Sequence, residues 1–559
     1  MKKTVFLIML VCVLCFPQLT KAVTKKAFDF VVGVDGDFKA ACARASQAAS
    51  EGNRFYIFFP NGEYDIGSLT GNENQMTVFS TSNVSFIGES ADKTVIFNRS
   101  VNEGISITST LHFKKADNLY IQDLSILNKA NFNQPSTYSV TGRHVAVMEQ
   151  GKKIIYKNVK LLSTQDTYYT KGERTYLENC EIHGTTDFIC GSGDVFFNGC
   201  LLYVNKVSYI TAPATSSSWG YVFYNCTIDG SVNSYQLGRA WNGTPKCVYI
   251  NTTMKVLPTA SAWGDPMNVV PSLFAEYNSR KADGSPVDLS SRRRSYSKNG
   301  VTANINPVLT QAQASEYTIS NVLKGSDNWK PDELARQADA PEVFSEGLAV
   351  KWENDENVLC WAVFKNDKFL KCVTAPSCEV DISDTGSSYY VRAANLMGGL
   401  GEKSNTLKFS FVHQYALQTS VASGEGTVAP ENGTFTDGQE VTLTAVPEKG
   451  WVFSNWSGDI SGDLNPVTVT MTSDKSISAV FVPSISARKN TVFYGRNSHD
   501  GLKRTVVEIY TINGKKVACK ESQLRSINYD IETALKGLTR GVYLIKTDFN
   551  KKPEKIIRN

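Results

Sequence analysis

Short apolar runs recur along the first half of the chain, each closed by an Asn or Gly and followed by a second, shorter stretch. They read "IIYKNVKL" from Ile154, "TYLENCEI" from Thr175, "VFFNGCLL" from Val195, "VFYNCTI" from Val222 and "CVYINTTM" from Cys247. Earlier relatives are "VSFIGES" at Val84 and "LYIQDLSILN" at Leu119. The closing positions Asn158, Asn179, Gly199, Asn225 and Asn251 lie 21, 20, 26 and 26 residues apart. A strand-rich repeat of that length predicts a solenoid, in which each coil buries its inner face only by stacking on its neighbours. With strands on each side and polar bends at fixed places, the expected fold class is all-β: a right-handed parallel β-helix, with small β-sandwich modules after it.

In such a solenoid, residues one period apart lie above one another, about 4.8 Å apart. Asp166 and Asp187 differ by 21, the local period. They are expected on adjacent coils and on the same face. Two stacked carboxylates repel, which raises the pKa of at least one unless a cation is near, and such an arrangement marks a site more often than a structural feature. The cation is expected in "YQLGRAW", about two coils further on, as Arg239, holding one Asp ionised while the other keeps its proton. Gln165, beside Asp166, offers a neutral amide donor for an oxyanion. The competing reading is an outward solvated pair or a calcium site, but no third acid stands in register. Cys180, Cys200 and Cys226 recur in like contexts and are expected as small core residues stacked in the repeat.

These residues resemble the pectin methylesterase (pectinesterase) family, carbohydrate esterases built on a parallel β-helix. The resemblance spans about residues 27 to 325 and rests on several segments in order. "VDGDFKAACARA" resembles the family's opening strand and capping helix, and "STQDTYY" its QDT-containing segment. "GTTDFICGSGDVFF" resembles its DFIFG-type segment, with Cys190 at a usually aromatic place. "LGRAW" resembles its LGRPW-type segment, and "SLFAEYNS" followed by "RRRSY" its closing region. The resemblance implies Asp187 as nucleophile on the methyl ester of a galacturonate unit and Asp166 as acid, then base. It implies Gln165 as an oxyanion donor, Arg239 as the partner of Asp187, and Trp241 and Trp263 as aromatic lining of the cleft. One departure stands out. Where the family has a Gln in a QAVAL-like strand, this chain reads "GRHVAVMEQ", which puts Arg143 or His144 there. Either could donate to an oxyanion, and Arg143 would also attract free carboxylates on the polymer.

The mechanism so implied needs no cofactor and no metal. The chain has no G-x-S-x-G elbow, and its five His include no H-E-x-x-H pair, which argues against a serine esterase or a zinc hydrolase. His183, just before "GTTD", is expected as a bend residue.

The remaining chain divides by composition. Residues 326–340 read as a polar linker. Residues 341–411 alternate as strands, and "YYVRAANLMGGLGEKS" resembles the end of a fibronectin type III domain, a module that spaces or presents catalytic domains; Cys372 and Cys378 are candidates there for a local disulfide. Residues 412–484 resemble small all-β repeat modules of bacterial surface proteins, with Trp451 and Trp456 expected in the core. Residues 485–559 resemble a type IX secretion sorting domain, which would address the chain to secretion machinery.

Charge adds little to the site but sorts the ends. The net charge of +4 conceals a basic tail: residues 485–559 hold sixteen Lys or Arg against seven Asp or Glu, so the rest is net acidic. That distribution argues against nucleic acid as a partner of the whole chain. "MKKTVFLIMLVCVLCFPQLTKA", residues 1–22, reads as a secretory signal peptide, too short for a membrane span, so a secreted or cell-surface monomer is expected. Residues 23–325 form the expected catalytic domain. Its expected partner is a polysaccharide, methylated homogalacturonan. Two alternatives stay open on the sequence: a non-catalytic pectin-binding surface protein, and a pectate lyase or polygalacturonase on the same fold.

Overall fold

A computed structural model describes residues 24–49, 53–67, 76–99, 102–130 and 142–484, with short stretches between 504 and 558. The expected signal peptide lies outside the described residues, as does most of the expected sorting region. The chain divides into two compact units, Met1–Ser410 and Phe411–Asn559.

The first unit is built on three sheets of ten, nine and seven strands, paired in parallel throughout. Each coil gives one strand to each sheet in turn, so the coils stack into a three-sided right-handed β-helix. The bends explain the sequence repeat. Asn158, Asn179, Asn225, Asn251 and Asn278 all adopt φ between 52° and 54°, and Gly199 takes φ 65° in the same series. This is the left-handed region that Asn and Gly enter most readily. The Asn side chains also bond along the stack: Asn251 Nδ2 donates to Asn225 Oδ1 at 3.2 Å and Asn278 Nδ2 to Asn251 Oδ1 at 2.8 Å.

Inside, like side chains stack coil upon coil. Phe197, Phe223 and Tyr249 lie face to face at 4.3 and 4.4 Å, and Cys180, Cys200 and Cys226 line up buried beside them. Each buried ring contributes about 1.5–3 kcal/mol of transfer free energy. The helix Phe38–Ala49 closes one end of this core with Phe38, Ala41 and Ala45.

The ten-stranded sheet is apolar on both faces, as runs such as "FYIFF" at Phe55–Phe59 require. Its outer row of Tyr56, Phe58, Ile87, Tyr120, Ile155, Tyr176, Phe196, Val222 and Val248 is covered. The cover is the segment 311–335 and a sandwich of three- and five-stranded sheets between Val343 and Lys408. Two expectations change here. The segment 326–340 carries a helix, Pro331–Ala335, and buries Trp329, Pro331 and Ala335 in this shared core. The sandwich is likewise no free spacer: Phe369 meets Phe58 at 4.5 Å, Arg392 pairs with Asp123 at 3.0 Å and Gln122 donates to the Leu400 carbonyl at 2.8 Å. The proposed Cys372–Cys378 pairing is also not what forms. Cys372 Sγ lies 3.2 Å from Cys360 Sγ on the neighbouring strand, while Cys378 sits in the other sheet, and all ten described cysteines are free.

The second unit contains a four-stranded and a three-stranded sheet between Gln414 and Pro483, with Trp456 fully buried and Trp451 partly so.

Candidate active site

The seven-stranded sheet carries the candidate site on its outer face. Two bends feed adjacent strands of this sheet, "STQDT" into Tyr168–Thr170 and "GTTDF" into Ile189–Gly191. Thr167 Oγ1 fastens the first bend to the His183 carbonyl of the next coil at 2.7 Å. Asp166 and Asp187 both sit in the left-handed region, with φ 61° and 48°. Short polar side chains tolerate that backbone better than branched ones, and the kink turns both carboxyls out of the strand direction. Because Tyr168 pairs with Ile189 and Tyr169 with Cys190, the two acids stand one rung apart, as the period of 21 requires.

Both acids are 4% exposed. Their surroundings differ. Arg239 holds Asp187 at two points, Nε to Oδ1 at 3.0 Å and Nη2 to Oδ2 at 2.5 Å. Burial pushes the Asp187 pKa up and the guanidinium opposes it. Asp166 has no such fork. Burial first, then the Asp187 charge, push its pKa up to about 8, with the Cys190 thiol as its hydrogen-bond partner. At neutral pH this arrangement supplies one carboxyl that carries its proton beside one held as an anion by charge-assisted bonds.

Arg239 is itself held. Its guanidinium lies 4.2 Å above the Tyr209 ring, and the Tyr209 carbonyl accepts the Asp187 backbone N–H at 2.8 Å. Tyr209 thus occupies the rung between acid and cation. The sequence contained a signal for it, since 209 is one coil beyond 187 in the same row as both acids.

The apolar floor beside the acids is a row read straight off the register: Met148, Tyr169, Cys190 and Ala212 on four successive strands. Val145 joins them, and Ile105, Met267 and the half-buried Trp241 pack against the row. Trp241 and Tyr169 rings are 6.1 Å apart. Trp263, expected to line the cleft, does not. It is fully buried inside the solenoid, stacked on Phe274 at 4.5 Å. Trp263 makes a single parallel bridge to Gly238, and its indole turns into the solenoid interior.

Gln165 is half-buried beside Asp166 and pairs in a parallel bridge with Arg143 on the preceding coil. Arg143, rather than His144, therefore takes the register position before Gln165. Its guanidinium forks onto Glu103, Nε to Oε2 at 2.9 Å and Nη2 to Oε1 at 2.7 Å. Sequence reasoning missed Glu103, which lies 40 residues away in an irregular turn with no repeat to mark it. His183 lies in the strand Glu181–Gly184 rather than at a bend, bonded to Glu181 and stacked on Tyr203 at 4.6 Å. Among the described residues no group of three His, Cys, Asp or Glu is arranged to hold a metal ion.

Fold and site together define a parallel β-helix protein whose outer sheet carries a buried carboxylate pair. The chain belongs to the pectinesterase family, whose family model matches residues 29–326. Residues 417–485 match the divergent InlB B-repeat domain. Pectinesterase 2 of Citrus sinensis is 27% identical over 337 residues, covering 54% of this chain and 59% of that protein. Pectinesterase 1 of Arabidopsis thaliana is 27% identical over 293 residues, covering 50% of this chain and 46% of that one. The chain thus spans less than two thirds of these relatives' length. Among solved structures, pectin methylesterase PemA from Erwinia chrysanthemi is 28% identical with a TM-score of 0.43, over 56% of this chain and 99% of that one.

Proposed function

We propose that this protein hydrolyses methyl esters of galacturonate units in pectin, releasing methanol and leaving pectate. The observation that carries the reading is the pair itself: a buried Asp187 gripped at two points by Arg239, one rung from an Asp166 that keeps its proton. Family membership over residues 29–326 supplies the substrate class.

The anionic Asp187 attacks the ester carbonyl carbon, and Gln165 donates to the oxyanion that forms. As the tetrahedral carbon collapses to an acyl anhydride on Asp187, the C–O bond to the methoxy group breaks. Asp166 gives its proton to the departing oxygen, so methanol leaves neutral. Asp166, now a carboxylate, takes a proton from water while the hydroxide oxygen attacks the anhydride. Asp187 departs as a carboxylate and both groups return to their starting charge. Arg239 keeps Asp187 ionised. Trp241 and the apolar row of Met148, Tyr169, Cys190 and Ala212 face the neutral methyl ester and the C–H side of the sugar. Arg143 supplies a cation that would attract a neighbouring free carboxylate on the polymer. We place the reaction outside the cell and the enzyme as a monomer, with the tail from 485 onward as an export address.

The reading is tested by methanol release from highly methylated homogalacturonan. The wild type is expected to release methanol, and Asp187→Ala to lose that activity by at least a thousandfold while its melting curve persists; about 4 kcal/mol of transition-state stabilisation corresponds to such a loss. Substantial residual turnover in the variant removes Asp187 as nucleophile. An unsaturated, UV-absorbing product, or binding of pectin with no product, points to a lyase or a binding protein instead.

A further inference from the structure

The turn from Glu103 to Thr108 is built around one residue of another coil. Glu103 accepts three hydrogen bonds from Arg143: the backbone N–H at 3.0 Å, Nε at 2.9 Å and Nη2 at 2.7 Å. The Gly104 N–H and the Thr108 hydroxyl both donate to the Arg143 carbonyl, at 2.9 and 3.1 Å. The fit is close enough that a Cβ on Gly142 would stand 3.0 Å from the Glu103 Cβ. Five bonds to a single half-exposed arginine form a socket on the coil of Leu111–Phe113, and the arginine it holds lies on the next coil, the one preceding Gln165 and Asp166.

The socket uses the Nε–Nη2 edge of the guanidinium. Such a cation poses a problem. An uncompensated positive charge one coil from Asp166 favours its ionised form, and a general acid that has lost its proton cannot release methanol. The charged and titratable groups around Asp166 are Asp187 on the next coil, the Cys190 thiol, Arg239 beyond Asp187, and Arg143 on the preceding coil. His144 follows Arg143 along the chain, and Glu103 pairs with its guanidinium. Asp187 and Arg239 neutralise each other through their fork. Glu103 is the one carboxylate in this group placed to offset Arg143.

We propose that Glu103 is a positioning residue of the esterase reaction: it aims the Arg143 guanidinium along the rung of Gln165 and offsets its charge beside Asp166. This rests on the catalytic reading of Asp166 and Asp187 above. The pull of Arg143 on Glu103 is mutual, and the hydrogen bonds hold the Glu103 carboxyl at about 2, so the offset persists at all working pH values.

The test is the pH profile of methanol release from highly methylated homogalacturonan by the full chain. Its alkaline limb reports loss of the Asp166 proton. Glu103→Gln leaves the arginine uncompensated and moves that limb to lower pH, whereas Arg143→Gln moves it to higher pH, each by about half to one unit, the size of a charge effect across one rung in partly solvated surroundings. Arg143→Lys keeps the charge and holds the limb close to the wild type, although it loses the fork. A merely structural socket would change melting temperature and total rate but give no opposite shifts. Limbs that move in the same direction, or that all stay within about 0.2 units of wild type, overturn the proposal. If Glu103→Gln does not fold, Arg143→Gln against Arg143→Lys decides alone: equal limbs overturn it. A wild type that releases no methanol overturns the catalytic reading and this inference with it, whereas an active wild type with coincident limbs overturns only the inference.

Discussion

At the scale of the residue, two aspartates with the same burial acquire different chemistry from their neighbours. The Arg239 fork stabilises the anion of Asp187, while Asp166 faces a thiol and another carboxylate. The price of that site is stability. An exposed Asp titrates near 3.8, whereas the folded Asp166 holds its proton to about 8. Below 3.8 both folded and unfolded chains carry the proton, and nothing is lost. Between the two values the unfolded chain ionises and the folded chain does not, so stability falls through this window and levels off above it. Asp166→Asn removes the effect. Its stability advantage over wild type is expected to grow from little at acid pH to a few kcal/mol, in order of magnitude, at alkaline pH, read by urea denaturation at both ends. An advantage that does not change with pH would show that Asp166 is not held protonated by the fold.

At the scale of the element, the bends rather than the strands fix the coil. Every Asn of the ladder sits at positive φ, so its side chain serves the backbone and the next coil together. Asn225→Ala puts a Cβ-bearing residue without a local hydrogen bond at φ 54° and removes the acceptor used by Asn251. The expected cost is about 1–2 kcal/mol from backbone strain alone, seen as a lowered melting temperature, and Asn225→Gly should recover most of it. Equal melting temperatures for the Ala and Gly variants would separate the ladder from left-handed strain. This ladder was legible as "Asn or Gly" recurring at coil spacing. The inward turn of Trp263 was not, because "PTASAWGDPM" has no repeat from which in-out alternation could be counted.

At the scale of the whole molecule, the first unit is one body with two architectures. The sandwich between Val343 and Lys408 covers the outer face of the ten-stranded sheet, so a chain ended at residue 326, where the family match stops, would expose Tyr56, Phe58, Tyr120 and Tyr176. An apolar face of that kind promotes aggregation. A chain ended at Ser410 keeps the cover and the site, and is expected to stay soluble and release methanol at the full rate; the shorter one is expected to aggregate. Comparable solubility and melting temperature for the two truncations would show that the sandwich is dispensable. The polar composition of "SDNWKPDELARQADA" hid this arrangement. Only Trp329, Pro331 and Ala335 within it are buried, too few to set a pattern against nine polar neighbours.

The sequence by itself determined what repeats: the coil length, the polar bends, the stacked core and the placing of Asp166 above Asp187. A parallel solenoid converts equal spacing along the chain into adjacency in space, so periodicity carries three-dimensional information there. The tertiary structure alone decided what does not repeat. Glu103 reaches Arg143 across 40 residues, Trp263 turns inward, and the sandwich closes over the second apolar face. These contacts depend on the paths of unequal loops and on which face each coil presents, and neither is set by local spacing.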